Sequence, residues 1–373
     1  MPIRVMLFLG LAIFAAPVFS QLKPGQPSSV GVSAAKLAIA ASLLESEVKD
    51  RGLDAASILV ARRGTIVLHK GFGKAEPDSI YLVASITKPV TAGALMLLVE
   101  QGQVGLDEAV TRYLPEFTGG DRPKVRVRDL LAHTSGLPDM LPENVELRKS
   151  NAPMSEYVKR TYSTPLLYKP GAEYRYQSMG ILLAAEIVET LTGTPLRDFE
   201  KKRIFDPLQM RHTFLGLGPL KIEETIPAWI SPKAARDEIE TWGHNSPYWR
   251  NLGVPWGGMH TTTTDLAIFL QAFLNGGEYS GTRVFSPATV RAMTTNQNAG
   301  LMTPRGLGWA LSGFGDLVSS RTFGHSGATG TIAWADPETQ LICVILTNRE
   351  LSVDGGHLLT MVSNAVASSV EIQ

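Results

Sequence analysis

The chain has 373 residues, of which 44% are hydrophobic and 19% are charged, a composition that excludes a largely disordered protein. Lys and Arg together number 35, as do Asp and Glu, so the formal charge is zero and nucleic acid is not expected as a partner. The single cysteine, Cys343, excludes an intramolecular disulfide and a cysteine-rich metal site, and no metal or other cofactor is predicted.

The N-terminal residues 1–20 have the pattern of a secretory signal peptide. Arg4 supplies a positive charge, an almost unbroken apolar run follows, and the residues before Gln21 suit a cleavage site. The run is shorter than the roughly 20 apolar residues of a membrane-spanning helix. We therefore expect export to the periplasm or the cell exterior and no stable membrane span in the mature protein. Residues 21–32, rich in Pro, Gly and Ser, are expected to form a flexible leader.

The chain then alternates between apolar patterns of helical and strand period. The predicted elements at its start are a helix (34–51), a hairpin (57–62 and 65–70), a short strand (79–83) and a long helix (85–101). The middle is mostly helical, with amphipathic helices over 179–192 and 264–275. The predicted elements at its end are four strands (308–311, 322–325, 331–335 and 341–347) and a helix (355–368).

This order predicts an α+β fold in which one antiparallel β-sheet is built from both ends of the chain and flanked by helices. The middle of the chain would then be a large, mostly helical subdomain inserted into the sheet subdomain. We place the sheet subdomain at about 33–84 and 300–373, and the helical subdomain at about 85–299, within one catalytic domain over 33–373.

The stretch Ser85-Ile86-Thr87-Lys88 is the first candidate for chemistry. The pattern S-x-x-K occurs three times, but the copies that begin at Ser33 and Ser46 belong to the first predicted helix. Ser85 instead follows a strand and opens a long helix, among unpaired backbone N–H groups at the positive end of the helix dipole. Lys88 lies one turn further on the same face, and a lysine in a partly desolvated cleft can lose its proton and activate a serine hydroxyl. The alternative is that Ser85 is only a helix N-cap.

Tyr176 is the second candidate, in a loop before the apolar helix over 179–192. A tyrosine whose proton is destabilised by a nearby lysine ammonium can act as a general base. The alternative is a tyrosine that only packs against its neighbours.

The third candidate is the stretch 323–330, where small residues would let a substrate approach the backbone closely. The backbone N–H of Ala328 could then help to hold an oxyanion. A rival interpretation takes Ser326 as the serine of a G-x-S-x-G nucleophile elbow, with Asp354 and His357 downstream in the order of the α/β-hydrolases. The last elbow position is alanine here, and a strand rather than a helix is predicted to follow.

In this order, the three stretches resemble the serine β-lactamase and penicillin-binding protein superfamily. The most similar branch holds the class C β-lactamases, the D-stereospecific peptidases and the family VIII carboxylesterases. Further matches, which extend the resemblance over about 33–368, are Leu130 to Pro138, Trp256 to Met259, Thr261 to Asp265, and Leu346 to Asn348. The resemblance implies that Ser85 is the acylated nucleophile, Lys88 its activating partner and Tyr176 the general base. It also implies an oxyanion hole formed by the backbone N–H groups of Ser85 and Ala328.

Two positions depart from the family's pattern. The family's Tyr-x-Asn and Lys-Thr/Ser-Gly, which imply substrate-binding roles, appear here as Tyr176-Gln177-Ser178 and His325-Ser326-Gly327. The family's lysine helps to bind a substrate carboxylate, whereas a histidine is mostly neutral at pH 7. Ser178 is also shorter than the family's asparagine, and both changes favour neutral ester or amide substrates over penicillins and cephalosporins.

The sequence therefore predicts an exported serine hydrolase that acts through a Ser85 acyl-enzyme on ester or amide bonds of small substrates. Two alternatives remain open. The first is a true β-lactamase or a D-Ala-D-Ala carboxypeptidase. The second is a non-catalytic penicillin-binding sensor on the same fold.

Overall fold

The computed structural model of the protein describes residues 21–371, so the predicted signal peptide, 1–20, lies outside the described residues. Within them the strands are β1 (Lys23–Pro24), β2 (Ala55–Arg62), β3 (Thr65–Gly73), β4 (Ile80–Leu82), β5 (Phe214–Leu215), β6 (Thr225–Ile226), β7 (Met259–Thr261), β8 (Glu278–Tyr279), β9 (Thr282–Arg283), β10 (Phe323–Gly327), β11 (Thr331–Asp336) and β12 (Leu341–Thr347). The α-helices of the same residues are α1 (Ala34–Asp50), α2 (Thr87–Glu100), α3 (Val127–Leu131), α4 (Asn144–Lys149), α5 (Met154–Ser163), α6 (Met179–Thr192), α7 (Leu196–Glu200), α8 (Asp206–Leu208), α9 (Pro247–Leu252), α10 (Thr263–Leu274), α11 (Pro287–Thr294), α12 (Leu351–Asp354) and α13 (His357–Ser368).

The large sheet has the strand order β1-β3-β2-β12-β11-β10. Its neighbouring strands are antiparallel, except for the parallel pair of β1 and β3. The central pair joins the two ends of the chain, with Arg62 of β2 opposite Leu341 of β12. The prediction of an α+β fold with an antiparallel sheet built from both ends of the chain is therefore confirmed.

Helices cover both faces of this sheet, which explains why β12 is apolar at every position from Leu341 to Leu346. Side chains alternate between the two faces of a strand. Leu341, Cys343 and Ile345 pack into one apolar core with α1 and α13, whereas the residues between them belong to the other core, with α2 and α10. Cys343 is completely buried there, as a packing residue would be.

The region between β3 and β10 is mostly helical, with α2 packed against α6. It also contains a small sheet of two- and three-residue strands in the order β5-β7-β4-β6. Helix α10 lies directly on β2, β11 and β12, so part of this region forms the second layer over the large sheet. Among residues 21–371 no single helix has the length and hydropathy of a membrane span, and α6 meets them only together with Leu196–Leu208, across a bend of 79°.

Residues 21–32 contact the folded domain, in contrast to the flexible leader that their composition suggests. The N–H of Lys23 donates to the Gly64 carbonyl at 2.9 Å, and β1 extends the edge of the large sheet beside β3. The Arg62 guanidinium donates to the carbonyls of Val30 and Gly31, both at 2.7 Å. Composition does not predict this order because the contacts come from distant parts of the chain.

Two further expectations differ from the structure at the end of the chain. The predicted strand over 308–311 is reduced to isolated bridges at Ala310, since Gly308 adopts a positive φ of 81° and its N–H donates to the Leu131 carbonyl. The nucleophile-elbow interpretation of Ser326 is wrong, because β11 follows as an antiparallel partner of β10 and no helix begins there.

Candidate active site

Ser85 lies at the junction between strand β4 and helix α2. A short 3₁₀ turn, Ala84–Ile86, leads into the helix, and Ala84 has a positive φ of 45°, which a residue with a side chain rarely adopts. The turn is held in place by Thr87, whose hydroxyl donates to the Ala84 carbonyl at 2.7 Å and accepts from the Met259 N–H at 3.0 Å. Such strain persists where surrounding contacts fix the backbone, and it is concentrated at functional sites.

Lys88 is fully buried one helical turn beyond Ser85. Its Nζ lies 3.1 Å from Ser85 Oγ and donates to the Trp256 carbonyl at 3.0 Å. Burial lowers the pKa of Lys88 to about 7; the Asp139 carboxylate opposes this shift in part, and the Arg305 cation adds a smaller lowering. A large share of Lys88 is therefore neutral near pH 7, with a lone pair that can accept the Ser85 proton.

Tyr176 completes a group of three side chains. Its hydroxyl hydrogen-bonds with Ser85, and its ring centroid lies 4.6 Å from Lys88 Nζ. Burial raises the pKa of Tyr176 above its ordinary value, although the Ser85 hydrogen bond and the Arg305 charge act in the opposite direction. Because the phenol holds its proton more tightly than usual, Lys88 is the better placed of the two to act as the base.

Ala328 lies in the turn between β10 and β11, which is fastened to the chain just before Ser85. The hydroxyls of Thr329 and Thr331 donate to the carbonyls of Leu82 and Val83, at 2.7 and 3.0 Å. Since the chain reaches Ser85 two residues after Val83, these bonds bring the Ala328 backbone to the side of the nucleophile. Both residues line the same cavity, as an oxyanion hole requires.

The cavity has a volume of about 380 Å³. Its walls carry five of the side chains or backbone groups that the sequence predicted, and it also contains groups that no motif indicated. Its lining residues are Ser85, Tyr174, Tyr176, Arg305, Ala310, Ser312, Gly313, Phe314, His325, Ser326, Ala328 and Leu351. Lys88 does not line the cavity itself, but its Nζ contacts Ser85 Oγ.

Two of the predicted substrate-binding residues do not line the cavity. The Ser178 hydroxyl donates to Asp139 Oδ1 at 2.6 Å, and the Ser178 residue is only 1% exposed. Gly327 is buried against the chain before the nucleophile, where a Cβ would overlap the carbonyl of Val83. The structure therefore gives Ser178 a contact with a carboxylate and Gly327 a close backbone approach.

His325, which stands where the family has a lysine, is neutral. Its Nδ1–H donates to the Ser326 carbonyl at 2.6 Å, which leaves Nε2 to accept a hydrogen bond from Arg305 at 3.0 Å. Burial and the cations of Arg305 and Lys88 lower the pKa of His325 well below its ordinary value. The imidazole acts here as an acceptor for a neighbouring cation.

That cation, Arg305, is the main site residue that sequence reasoning missed. It is only 6% exposed, and its guanidinium carbon lies 5.4 Å from the Tyr176 ring centroid. Its nearest hydrogen-bond partners are the imidazoles of His133 and His325, and within residues 21–371 it forms no ion pair with a carboxylate. A buried cation with neutral partners is a strong site for an anionic ligand group.

His133 lies within the family motif Leu130 to Pro138, and its ring packs against Tyr176. Its ring centroid lies 4.8 Å from that of Tyr176, and its Nε2 is 3.3 Å from the Arg305 guanidinium. Burial and the Arg305 charge lower its pKa well below the ordinary value, so His133 is neutral as well. It adopts a positive φ of 61°, which a sequence pattern does not indicate.

Comparisons with known proteins agree on one family. A family model described as Beta-lactamase matches residues 40–365. A relative from Salmonella schwarzengrund (strain CVM19633), named "Putative D-alanyl-D-alanine carboxypeptidase", is 30% identical over an alignment that covers 92% of this chain and 90% of the relative.

Solved structures share the fold over almost the whole chain. A penicillin-binding protein homolog from Caulobacter crescentus is 22% identical with a TM-score of 0.75, covering 91% of this chain and 99% of its own. A D-amino acid amidase from Ochrobactrum anthropi SV3 is 24% identical with a TM-score of 0.71, covering 89% and 99% respectively.

Proposed function

The chain belongs to the beta-lactamase family and is a serine hydrolase, and from that premise we propose that Ser85 forms an acyl-enzyme with small amide or ester substrates that carry a carboxylate. The observation that carries the choice of substrate is Arg305, a buried cation in the cavity wall whose hydrogen-bond partners are neutral imidazoles. A peptide that ends in D-Ala-D-Ala fits this description, and the name of the Salmonella relative points to the same substrate class.

In the proposed first step, neutral Lys88 accepts the proton of Ser85 Oγ while this oxygen attacks the substrate carbonyl carbon. The charge that develops on the carbonyl oxygen is held by the backbone N–H groups of Ser85 and Ala328. The bond to the leaving group then breaks, and the proton taken from Ser85 passes to the leaving amine or alcohol, directly from Lys88 or by way of the Tyr176 hydroxyl. In the second step, Lys88 accepts a proton from a water molecule that attacks the acyl carbon. The bond between this carbon and Ser85 Oγ then breaks, the carboxylic acid leaves, and the proton returns from Lys88 to Ser85 Oγ.

The role of Arg305 replaces an expectation drawn from the sequence. The histidine in place of the family's lysine suggested a site without positive charge and hence neutral substrates. His325 is indeed uncharged, but it accepts a hydrogen bond from an arginine that supplies the charge from a different part of the chain. The planar guanidinium can bind a carboxylate with two parallel hydrogen bonds, which a lysine cannot do.

The substrate class is tested with a pair of peptides that end in D-Ala-D-Ala, one with a free carboxylate and one with a C-terminal amide. We expect the wild type to prefer the carboxylate, and Arg305→Gln to lose about 10- to 100-fold in kcat/KM on it, the strength of a hydrogen bond to a charged group. The amide peptide should be nearly unaffected by the same substitution.

Arg321→Gln is the matched control, because Arg321 is exposed and lies only four residues before His325. It should retain the wild-type preference. If the wild type cleaves the amide as well as the carboxylate, or if Arg305→Gln weakens both equally, the carboxylate proposal is wrong and the neutral-ester alternative is favoured.

The second candidate function is that of a neutral esterase, favoured by the absence of a lysine at position 325 and by the size of the cavity, which also admits uncharged leaving groups. Short-chain nitrophenyl esters report it directly. A true β-lactamase would turn over a chromogenic cephalosporin, whereas a sensor would be labelled at Ser85 by a fluorescent penicillin and release the label only slowly.

We also propose that the protein is exported, because residues 1–20 have the pattern of a cleaved signal peptide. Expression of the full chain in a Gram-negative host should then give a periplasmic protein whose N-terminal residue is Gln21. N-terminal sequencing of the purified protein checks this, and a chain that begins at Met1 in the cytoplasmic fraction would contradict it.

A further inference from the structure

A buried acid contacts the helix that carries Lys88, outside the cavity. Glu200, the last residue of α7, is completely buried, and its Oε1 lies 3.1 Å from the hydroxyl of Thr91. Its other oxygen, Oε2, has no hydrogen-bond partner within the described residues. Neither the family resemblance nor the proposed mechanism uses this carboxyl group.

The hydrogen bonds around Thr91 determine the protonation state of Glu200. The Thr91 hydroxyl has a single proton, and it lies 2.8 Å from the Pro255 carbonyl, which can only accept. Thr91 therefore donates to Pro255 and must accept from Glu200, which requires a protonated carboxyl. Burial, together with the charge of Glu189 on α6, raises the pKa of Glu200 to about 8, in agreement with this assignment.

The same backbone segment holds Lys88. Thr91 and Lys88 are three residues apart on one face of α2, and they bind the consecutive carbonyls of Pro255 and Trp256. A neutral lysine has two protons and one lone pair. When one N–H is fixed on the Trp256 carbonyl, at 3.0 Å, the lone pair can be directed at Ser85 Oγ, at 3.1 Å.

We propose that Glu200, as a neutral acid, is a positioning residue that acts through Thr91 and the Pro255–Trp256 carbonyls to orient the amine of Lys88. This inference rests on the proposed function, in which Lys88 is the base. Glu200 touches no substrate, and its contribution is to keep the lone pair of Lys88 aligned with the Ser85 hydroxyl.

The test compares Glu200→Gln and Glu200→Leu in steady-state hydrolysis of a nitrophenyl ester over a range of pH. The amide of Gln is neutral and can donate the same hydrogen bond, so Glu200→Gln should stay close to the wild type. Glu200→Leu should lower kcat about tenfold with little change in KM, since one hydrogen bond that aligns the base is lost.

The pH profile separates this role from a merely structural one. The acidic limb of kcat/KM reports the pKa of Lys88. The charged or titratable groups that also face Lys88 are unaltered in these variants: Tyr176, Asp139, Arg305, His133 and His325. In Glu200→Leu the Trp256 carbonyl is no longer held in place to accept a hydrogen bond from the Lys88 ammonium. The pKa of Lys88 should therefore fall, and the acidic limb should move to lower pH.

Three further variants decide between the outcomes. Thr91→Val removes both hydrogen bonds without a change of shape. It should show the lower kcat and the shifted acidic limb expected of Glu200→Leu, and it serves as the test if Glu200→Leu does not fold. Glu186→Leu removes a half-buried carboxyl on α6 outside this chain of bonds and should leave kcat and the limb unchanged. The proposal is overturned if Thr91→Val keeps the wild-type kcat and limb, or if Glu200→Gln is as slow as Glu200→Leu. Activity that survives in Ser85→Ala would instead overturn the proposed function.

Discussion

Replacement of Ser85 by alanine is expected to lower kcat/KM for a short-chain nitrophenyl ester by on the order of 10³-fold or more. The reason is that Ser85 Oγ is the atom that lies within 3.1 Å of the Lys88 amine, hydrogen-bonds with Tyr176 and faces the cavity. Alanine leaves the cavity and the oxyanion N–H groups in place but removes the atom that forms the acyl bond. The measurement is steady-state hydrolysis, with the thermal midpoint recorded to show that the variant is folded.

Ser46→Ala is the matched control for this experiment. Ser46 and Lys49 have the same S-x-x-K spacing as the candidate pair, but they are exposed on α1, outside the cavity. We expect the control to keep wild-type activity. Comparable activity in Ser85→Ala and the wild type would exclude Ser85 as the nucleophile.

Replacement of Lys88 by methionine is expected to lower kcat/KM by about 10²- to 10⁴-fold, the range that a positioned general base contributes. Methionine has a similar length and suits a fully buried site, so the loss should be of activity and not of folding. The exposed Lys49→Met provides the control, since it removes a lysine of the same spacing without touching the site.

The pH dependence of kcat/KM tests the role of Lys88 as the base. A base must be unprotonated to act, and burial lowers the pKa of Lys88 to about 7. In the wild type kcat/KM should therefore rise with pH through about 7. The residual activity of Lys88→Met should lack this limb. A limb at the same pH in both proteins would assign it to another group and remove Lys88 from the role of base.

The sequence predicted the fold well where the pattern is local. The bounds of α6 and β12 are those predicted, because α6 has a clear helical period and a terminal glycine, and β12 is an apolar run buried on both faces. The position of Ser85 between a strand and a helix could be predicted for the same reason. These features depend on neighbouring residues in the chain and on burial, and the spacing of apolar residues in the sequence indicates both.

The site could be predicted only in part. Ser85, Lys88 and Tyr176 belong to spaced motifs, and the structure brings them together. Arg305 belongs to none, since it stands alone between a proline and a glycine, and its importance comes from the tertiary contact with His325. Glu200 likewise looks like one of many charged residues on a helix until its burial against Thr91 is seen.

Ser178 is the opposite case, a residue that the motif indicated as substrate-binding but that does not line the cavity. The role of a motif position depends on the side chain that occupies it. A serine is shorter than the family's asparagine, and its hydroxyl is already engaged by Asp139. The carboxylate of Asp139 in turn raises the pKa of Lys88, which partly opposes the effect of burial. Ser178 therefore contacts the carboxylate that influences the pKa of Lys88, whereas the motif suggested a contact with substrate.

The central claim is that Ser85 is the nucleophile of this hydrolase, and the most direct measurement is stoichiometric labelling with an aryl phosphonate ester, followed by mass spectrometry of the intact protein and its peptides. The account predicts one phosphonyl group per chain, on the peptide that contains Ser85, with loss of activity in proportion to labelling and no label in Ser85→Ala. A label on another residue that abolishes activity, or full labelling of Ser85 with activity unchanged, would contradict it.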